Sequence, residues 1–84
     1  MSQLTKFLFK ILSAQNDKSI KFGELCSFLS KLGFEQRIKG SHHIFYRKDI
    51  EEIINIQPNS GKHAKPYQIK QVRDILIKYK LGAE

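Results

Sequence analysis

The chain has 84 residues, of which 40% are hydrophobic and 27% are charged, so it suffices for one small domain and is too apolar to be disordered. Its 15 lysines and arginines exceed its 8 acidic residues and give a formal net charge of +7. This charge favours a polyanionic partner, with RNA or DNA ahead of an acidic protein, and fits a solvated basic face without a partner equally well. A single cysteine, Cys26, excludes an intramolecular disulfide and fits a cytoplasmic protein.

The N-terminal part of the chain carries two helical patterns. Apolar residues spaced i, i+3, i+4, i+7 and i+8 predict a helix over roughly residues 3–14. A signal peptide is not expected, because Lys6 and Lys10 interrupt the apolar stretch and no small-residue cleavage site follows it. After the polar segment AQNDKS, a second apolar stripe predicts a helix over roughly residues 21–32, with Gly33 as its C-terminal cap. No apolar run approaches the ~20 residues of a membrane span, so we expect no membrane association.

The hydrophobic period then changes from about 3.6 residues to about 2, which indicates strands. In FEQRIK, Phe34, Gln36 and Ile38 alternate with charged residues, which predicts a strand with its apolar side on the core. HHIFYR is rich in β-branched and aromatic residues, and Gly40 and Ser41 precede it, so the two segments predict a β-hairpin. YRKDIEE predicts a second, polar turn, and IINIQ predicts a third strand that Pro58 ends. We therefore expect a three-stranded meander.

A loop and a third helix complete the chain. PNSGKHAK has the composition of a loop, and it exposes Lys62 and Lys65. Pro66 suits the first turn of a helix whose apolar stripe runs to Tyr79, and Gly82 closes it. The predicted fold is α+β in the order α-α-β-β-β-α, with the helices on one face of a three-stranded antiparallel sheet.

The face on which each strand residue lies is the least determined part of this prediction. Alternation divides the second predicted strand into Ser41, His43, Phe45 and Arg47 on one side and His42, Ile44 and Tyr46 on the other. We expect the side with Arg47 to be open to solvent, which puts His43 and Phe45 on the open face and Ile44 and Tyr46 in the core. Both sides carry an aromatic residue, so the pattern leaves the reverse assignment open.

His43 is the candidate for acid–base chemistry, because an imidazole with an unperturbed pKa of about 6.5 titrates near neutrality. Cleaving RNA without a metal requires a base for the ribose 2′-hydroxyl, cations for the developing phosphorane charge and a proton for the leaving oxygen. Phe45 could stack a base, and the loop lysines and the start of the last helix suit phosphate. The candidate RNA contacts near His43 are Arg37, Lys39, Ser41, Phe45, Arg47, Lys62 and Lys65. A surface histidine without a role is the alternative.

No metal ion or other cofactor is expected. Adjacent strand residues such as His42 and His43 cannot converge on one ion, and neither His63 nor Cys26 has a close ligand spacing. Cys26 fits a small buried hydrophobe, and His42 fits a residue that caps the hairpin edge or packs on a helix end. GKH at residues 61–63 lacks the earlier glycine and the following Ser/Thr of a phosphate-binding P-loop.

Taken in order, these motifs resemble the HicA family of toxins. The matching elements are LGF at 32–34, GSHHIF at 40–45, INI at 54–56, Lys62, Lys65 with Pro66, and the last helix over 69–76. The resemblance covers about residues 22–81. It implies a fold similar to the double-stranded RNA-binding domain, in a single domain over residues 1–84 whose core is 21–81 and whose helix at 3–14 is additional.

The resemblance also implies a function. HicA-like proteins are toxins of type II toxin-antitoxin systems, act as metal-independent mRNA interferases and are neutralised by a HicB antitoxin. The family's catalytic histidine, the last residue of G-S-x-H, maps onto His43, with Gly40 and Ser41 shaping its turn. Asn59 stands where the family often has a histidine, which bears on substrate preference. The additional helix is open to roles in dimerisation, antitoxin contact or core coverage.

Three functions remain in competition at this point. The first is an endoribonucleolytic toxin that acts on mRNA, binds a HicB-type antitoxin, and is a monomer or small homo-oligomer when free. The second is a non-catalytic double-stranded RNA-binding module, and the third is a subunit whose basic face meets an acidic protein. RNA cleavage that depends on His43 distinguishes the first from the other two.

Overall fold

The computed structural model describes residues 3–82. Its elements are α1 (Gln3–Leu12), α2 (Phe22–Lys31), β1 (Glu35–Lys39), β2 (His42–Arg47), β3 (Ile50–Ile56) and α3 (Pro66–Tyr79). The sheet is antiparallel and its strands lie in chain order, so the predicted α-α-β-β-β-α layout is confirmed. Within the described part of the chain, no helix combines the length and apolar character that crossing a bilayer requires.

The core lies between the helices and one face of the sheet. Phe45 of β2 has no exposed surface, and Ile54 and Ile56 of β3 are equally buried beside it. Ile69 and Val72 of α3 belong to the same cluster and are also fully buried. Burying a phenylalanine side chain contributes about 1.5–3 kcal/mol, so Phe45 determines which face of β2 turns towards the helices.

The predicted orientation of β2 is wrong. Phe45 lies in the core, whereas Tyr46 is 36% exposed and Ile44 is only partly buried on the opposite face. Arg47 shares the inner face with Phe45, but it stands at the strand end, where its guanidinium reaches the Leu32 carbonyl oxygen at 2.7 Å. A long charged side chain can leave the core edge in this way, so its presence does not mark an open face.

A two-residue turn fixes the register of the hairpin. Gly40 adopts a φ of +62°, whereas Ser41 has no positive φ, which is the pattern of a type II′ turn with glycine first. The turn pairs Ile38 with His43 and Gln36 with Phe45. Every residue of β1 is exposed, so the expectation that its apolar side meets the core is wrong for Ile38, which is 58% exposed.

The N-terminal helix is fastened to α3 by Arg73. The Arg73 Nη1 donates to the Ile11 carbonyl oxygen near the end of α1, and the guanidinium forms two further bonds with the Asp17 carboxylate, all of 3.0 Å. The side chains of Arg73 and Asp17 are only 13% and 21% exposed. Because Leu8 and Ile11 are buried in the same core, α1 is an integral layer of the domain.

A polar cluster joins the end of α3 to β3. The Glu52 carboxylate accepts hydrogen bonds from the Lys78 ammonium at 2.8 Å and from the Tyr79 hydroxyl at 2.6 Å. The Tyr79 oxygen in turn accepts a bond from the Glu51 backbone N–H at 3.3 Å. Lys78 first and Tyr79 second lower the pKa of Glu52 from 4.5 to about 2.

Replacing Arg73 with methionine should lower the free energy of unfolding by about 2 kcal/mol, because it leaves the Ile11 carbonyl and the Asp17 carboxylate without this partner. Chemical denaturation measures the change. Lys70→Met is the matched control, since Lys70 forms an exposed pair with Asp74 on the same helix. The control should change the free energy of unfolding by no more than about 0.5 kcal/mol. Equal losses in the two variants would contradict a stabilising role for the Arg73 contacts.

The Glu52 cluster predicts acid-sensitive stability. The folded pKa of Glu52 lies below its ordinary value, so its contribution is fully present above about pH 4.5 and is lost as the pH falls towards 2. Glu52→Gln should flatten the loss of stability in this window, and Tyr79→Phe should have a smaller effect of the same kind. Denaturation midpoints between pH 2 and 6 measure it, and an unchanged slope in Glu52→Gln would refute the assignment.

Candidate active site

His43 lies on the inner face of the sheet, at the rim of the helical layer. Its ring is partly buried and meets the ring of Phe22 at the start of α2, with centroids 4.8 Å apart and planes at 76°. Such edge-to-face packing orients an aromatic ring without a polar bond. The imidazole is therefore positioned beneath α2 and is not sealed under it.

A carboxamide from the neighbouring strand fixes the imidazole further. The Gln36 Nε2 of β1 lies 3.0 Å from the His43 Nδ1. In this orientation the amide donates to Nδ1, so the neutral ring carries its proton on Nε2. Nε2 has no hydrogen-bond partner among the residues that the structure describes, which leaves it as the ring atom available for chemistry.

The rim position follows from unequal coverage of the sheet. On one side His43 pairs with Ile56 of β3, which is fully buried, and on the other with Ile38 of β1, which is exposed. The helices thus cover β3 and the middle of β2 but leave β1 open. His43 stands at the boundary between the two, where one edge of a ring can reach a ligand.

The loop between β3 and α3 is tied to the same place. The Phe22 N–H donates to the Lys62 carbonyl oxygen at 3.1 Å, and Lys21 forms a β-bridge with His63. The Asn59 side-chain oxygen accepts bonds from the backbone N–H groups of Gly61 and His63, both at 2.9 Å. Asn59 thereby organises the loop that holds Lys62 next to the contact of Phe22 with His43.

Two of the predicted cations lie on the other face of the sheet. Lys39 pairs with His42 and Arg37 with Ile44, and residues paired in this way share a face. Both cations therefore point away from the helices and from His43. The expectation that Arg37 and Lys39 flank His43 is wrong, while a role for them in RNA binding stays a prediction.

Arg47 is also separated from His43. It lies four residues further along β2, roughly 13 Å at the usual rise of a strand. Its Nε and Nη2 donate to the Asp49 carboxylate at 2.7 and 2.8 Å, and its guanidinium carbon lies 5.9 Å from the centre of the Phe34 ring. Arg47 thus ties the end of β2 to the segment before β1, and the expectation that it stands beside His43 is wrong.

The remaining predicted contacts divide between core, turn and loop. Phe45 is buried and has no exposed ring face with which to stack a base, so the expectation of stacking is wrong. The Ser41 hydroxyl donates to the Gln57 side-chain oxygen at 3.2 Å, which ties the hairpin turn to the end of β3. Lys65 occupies the N-cap position of α3 without a side-chain capping bond and is partly buried, and Lys62 is exposed in the loop.

Three residues of the site are not predictable as such from the sequence alone: Phe22, Gln36 and Lys21. The two-residue turn contains the signal for Gln36, because it fixes Gln36 and Ile38 on the face of His43. Phe22 belongs to the apolar stripe of the second predicted helix, and its contact with His43 depends on tertiary packing that has no local pattern. The same packing brings Lys21 to the loop.

Cys26 supplies no nucleophile near neutrality. Burial raises the pKa of the Cys26 thiol to about 11, so the group stays protonated near neutrality. Across residues 3–82, no three histidine, cysteine or acidic side chains come together as a metal site would require.

The family of the chain follows from its central and C-terminal part. The family model of the HicA toxin of bacterial toxin-antitoxin systems matches residues 22–79, which is more than half of the sequence. The chain belongs to the HicA toxin family. Comparison with curated proteins and with solved structures gives no match, so the assignment rests on the family model. The match contains all the site residues except Lys21, and α1 lies outside it.

Removing the carboxamide should loosen the histidine of this HicA chain. In Gln36→Leu, His43 Nδ1 loses its partner, so the neutral imidazole should shift from the Nε2–H form to a mixture of both tautomers. Imidazole nitrogen chemical shifts measure the tautomer directly. Gln71→Leu on the exposed side of α3 is the matched control and should change nothing. A mixture already present in the parent protein would contradict the assigned contact.

Proposed function

We propose that this HicA chain is an endoribonuclease that cuts mRNA, acts as the toxin of its toxin-antitoxin pair and uses His43 as acid or base. Family membership supports the toxin role. The observation that carries the chemistry is the imidazole of His43, held at Nδ1 by Gln36 and packed by Phe22, with Nε2 left available at an open rim.

The chemistry required is the transfer of a phosphoryl group to the neighbouring ribose oxygen. The 2′-oxygen attacks the adjacent phosphorus, the bond from phosphorus to the 5′-oxygen breaks, and a cyclic phosphate remains. With its amide nitrogen at Nδ1, Gln36 keeps the proton of the neutral ring on Nε2; when the carboxamide turns over, its oxygen accepts from an Nδ1–H instead. Nε2 of His43 can then take the 2′-hydroxyl proton or, from the imidazolium, supply the proton that the 5′-oxygen needs. A ring that is already oriented avoids the entropic cost of aligning it during the reaction.

The charge that develops on the phosphorane needs cations close to the inner face. Lys62 lies in the loop that is hydrogen-bonded to Phe22, beside His43. Lys21 precedes Phe22 and forms the β-bridge with His63 of that loop. Neither forms an ion pair with a described acidic residue. They are therefore the cations we assign to the scissile phosphate.

A HicB-type antitoxin is the proposed protein partner, on the basis of the family. The net charge of +7 favours an antitoxin surface that is acidic where it covers the toxin. Covering the rim at His43 would exclude RNA from Nε2, because the ring is reached from that side. Inhibition by occlusion therefore requires no change in the toxin's fold.

The decisive variant is His43→Asn. Cleavage of RNA by the purified protein should fall by about 10²- to 10⁴-fold, and growth arrest on expression should disappear, because the acid–base group is lost. Lys70→Gln, on the outer side of α3, should leave both unchanged and serves as the control. The unfolding midpoint of each variant verifies that the fold is intact.

Other outcomes would identify the competing functions. Full toxicity of a folded His43→Asn protein would refute the catalytic proposal. Salt-sensitive RNA binding without any cleavage by the parent protein would favour the non-catalytic RNA-binding module. Tight binding to an acidic protein without RNA affinity at moderate salt would favour an interaction subunit.

A further inference from the structure

The outer face of the sheet carries a second histidine with a carboxamide partner. The His42 Nδ1 lies 3.0 Å from the Asn55 Oδ1 across β2 and β3. The contact of His43 with Gln36 is its counterpart on the inner face. Each of the two histidines is thus held at Nδ1 by an amide, His43 from β1 and His42 from β3. The His42 Nε2 and the Asn55 amide nitrogen have no partner among the described residues, so both stay available to a ligand.

These side chains line a groove beside the hairpin turn, here called the outer-face groove. It has a volume of about 510 Å³ and is lined by Lys39, Gly40, His42, Ile44 and Asn55. The lining has an apolar floor at Ile44, polar groups above it and no carboxylate. A base can lie on such a floor while its edge meets the imidazole and the amide.

The cations at the groove are not held by carboxylates of the domain. Arg47 and Arg73 are paired with carboxylates, as are Lys70 and Lys78. Lys39, which lines the groove, and Arg37, two residues away on the same face, form no ion pair with a described residue. Unpaired cations beside a groove whose lining has no carboxylate favour a phosphate backbone.

The hairpin turn connects this groove to the site on the inner face. His42 and His43 are neighbours in the chain but face opposite sides of the sheet, and only the turn at Gly40 separates the two surfaces at this end. Apart from Gly40 and its two chain neighbours, no described heavy atom lies within 4 Å of the position that a Cβ on Gly40 would occupy. A single strand can therefore pass over the turn, whereas a stiff duplex cannot bend around it.

We propose that the outer-face groove binds one nucleotide of single-stranded RNA, with the base on Ile44 and its edge at His42 and Asn55, and with Lys39 and Arg37 on the phosphates. This inference rests on the proposed function, since the strand continues over the turn to the bond at His43. It makes single-stranded RNA the substrate and gives the groove a part in selecting the nucleotide beside the cut.

The test measures binding of a fluorescent single-stranded oligoribonucleotide of mixed sequence to His43→Asn protein, which removes cleavage from the measurement. Asn55→Leu should weaken binding about tenfold without changing its salt dependence, because only a base contact is lost. Arg37→Gln with Lys39→Gln should lower the slope of log affinity against log salt by about 1.4, since two phosphate contacts are lost at ~0.7 each.

A control variant that loses the same number of positive charges distinguishes a specific site from general electrostatic attraction of RNA. Lys6→Gln with Lys31→Gln removes two exposed lysines from α1 and α2 and should leave the salt slope nearly unchanged. Equal effects of the two double variants, or unaltered binding in Asn55→Leu, would overturn the proposed groove. The groove would also be refuted if the outer-face variants still bind RNA but no longer bind a co-expressed antitoxin, because the outer face would then be a protein interface.

Cleavage kinetics keep this inference separate from the proposed function. With His43 present, Asn55→Leu should raise KM about tenfold and leave kcat unchanged. A parent protein that binds the oligonucleotide but never cuts it refutes the endoribonuclease, while the binding series still decides the groove. If the parent protein cleaves RNA and the groove variants change neither binding nor KM, the groove is refuted and the endoribonuclease is not.

Discussion

The burial of Phe45 is the constraint on which the arrangement of this HicA domain depends. Because this side chain has no exposed surface, β2 cannot rotate or slip, and alternation then places His43 inside and His42 outside. The two-residue turn transmits the same choice to β1, so Gln36 faces the helices and Arg37 faces away. One aromatic contact with the core thus determines the surroundings of both imidazoles.

Polar contacts of α3 hold the other layers to this core. Arg73 fastens α1, and Tyr79 reaches Glu52 of β3. Gln68 is only 1% exposed. Its side-chain nitrogen donates to the Gln57 carbonyl oxygen at 3.2 Å, and its side-chain oxygen accepts from the Gln57 backbone N–H at 3.1 Å. The last of these contacts sets where the loop to α3 begins. The position of Lys62 therefore depends on a buried amide as well as on Asn59.

Much of this domain was predictable from sequence, because its helices and strands follow regular periods and its hairpin turn is short. The helix bounds lie within about two residues of the predicted ones, and β3 starts earlier, at Ile50, because its turn is shorter than its polar composition indicates. The strand face was not predictable from Arg47, since a strand-end arginine can reach solvent from the core side. Nor was the contact of His43 with Phe22, which depends on how α2 crosses the sheet.

The shortness of the hairpin turn also limits how the segment can change. Deleting or inserting a single residue near Gly40 would exchange the faces of one strand relative to the other, and with them the partners of the two histidines. Lengthening the turn by two residues would preserve the alternation and only move the strands apart at the tip. Variation in hairpin length is thus expected in steps of two, and a loop graft at this point must keep that parity.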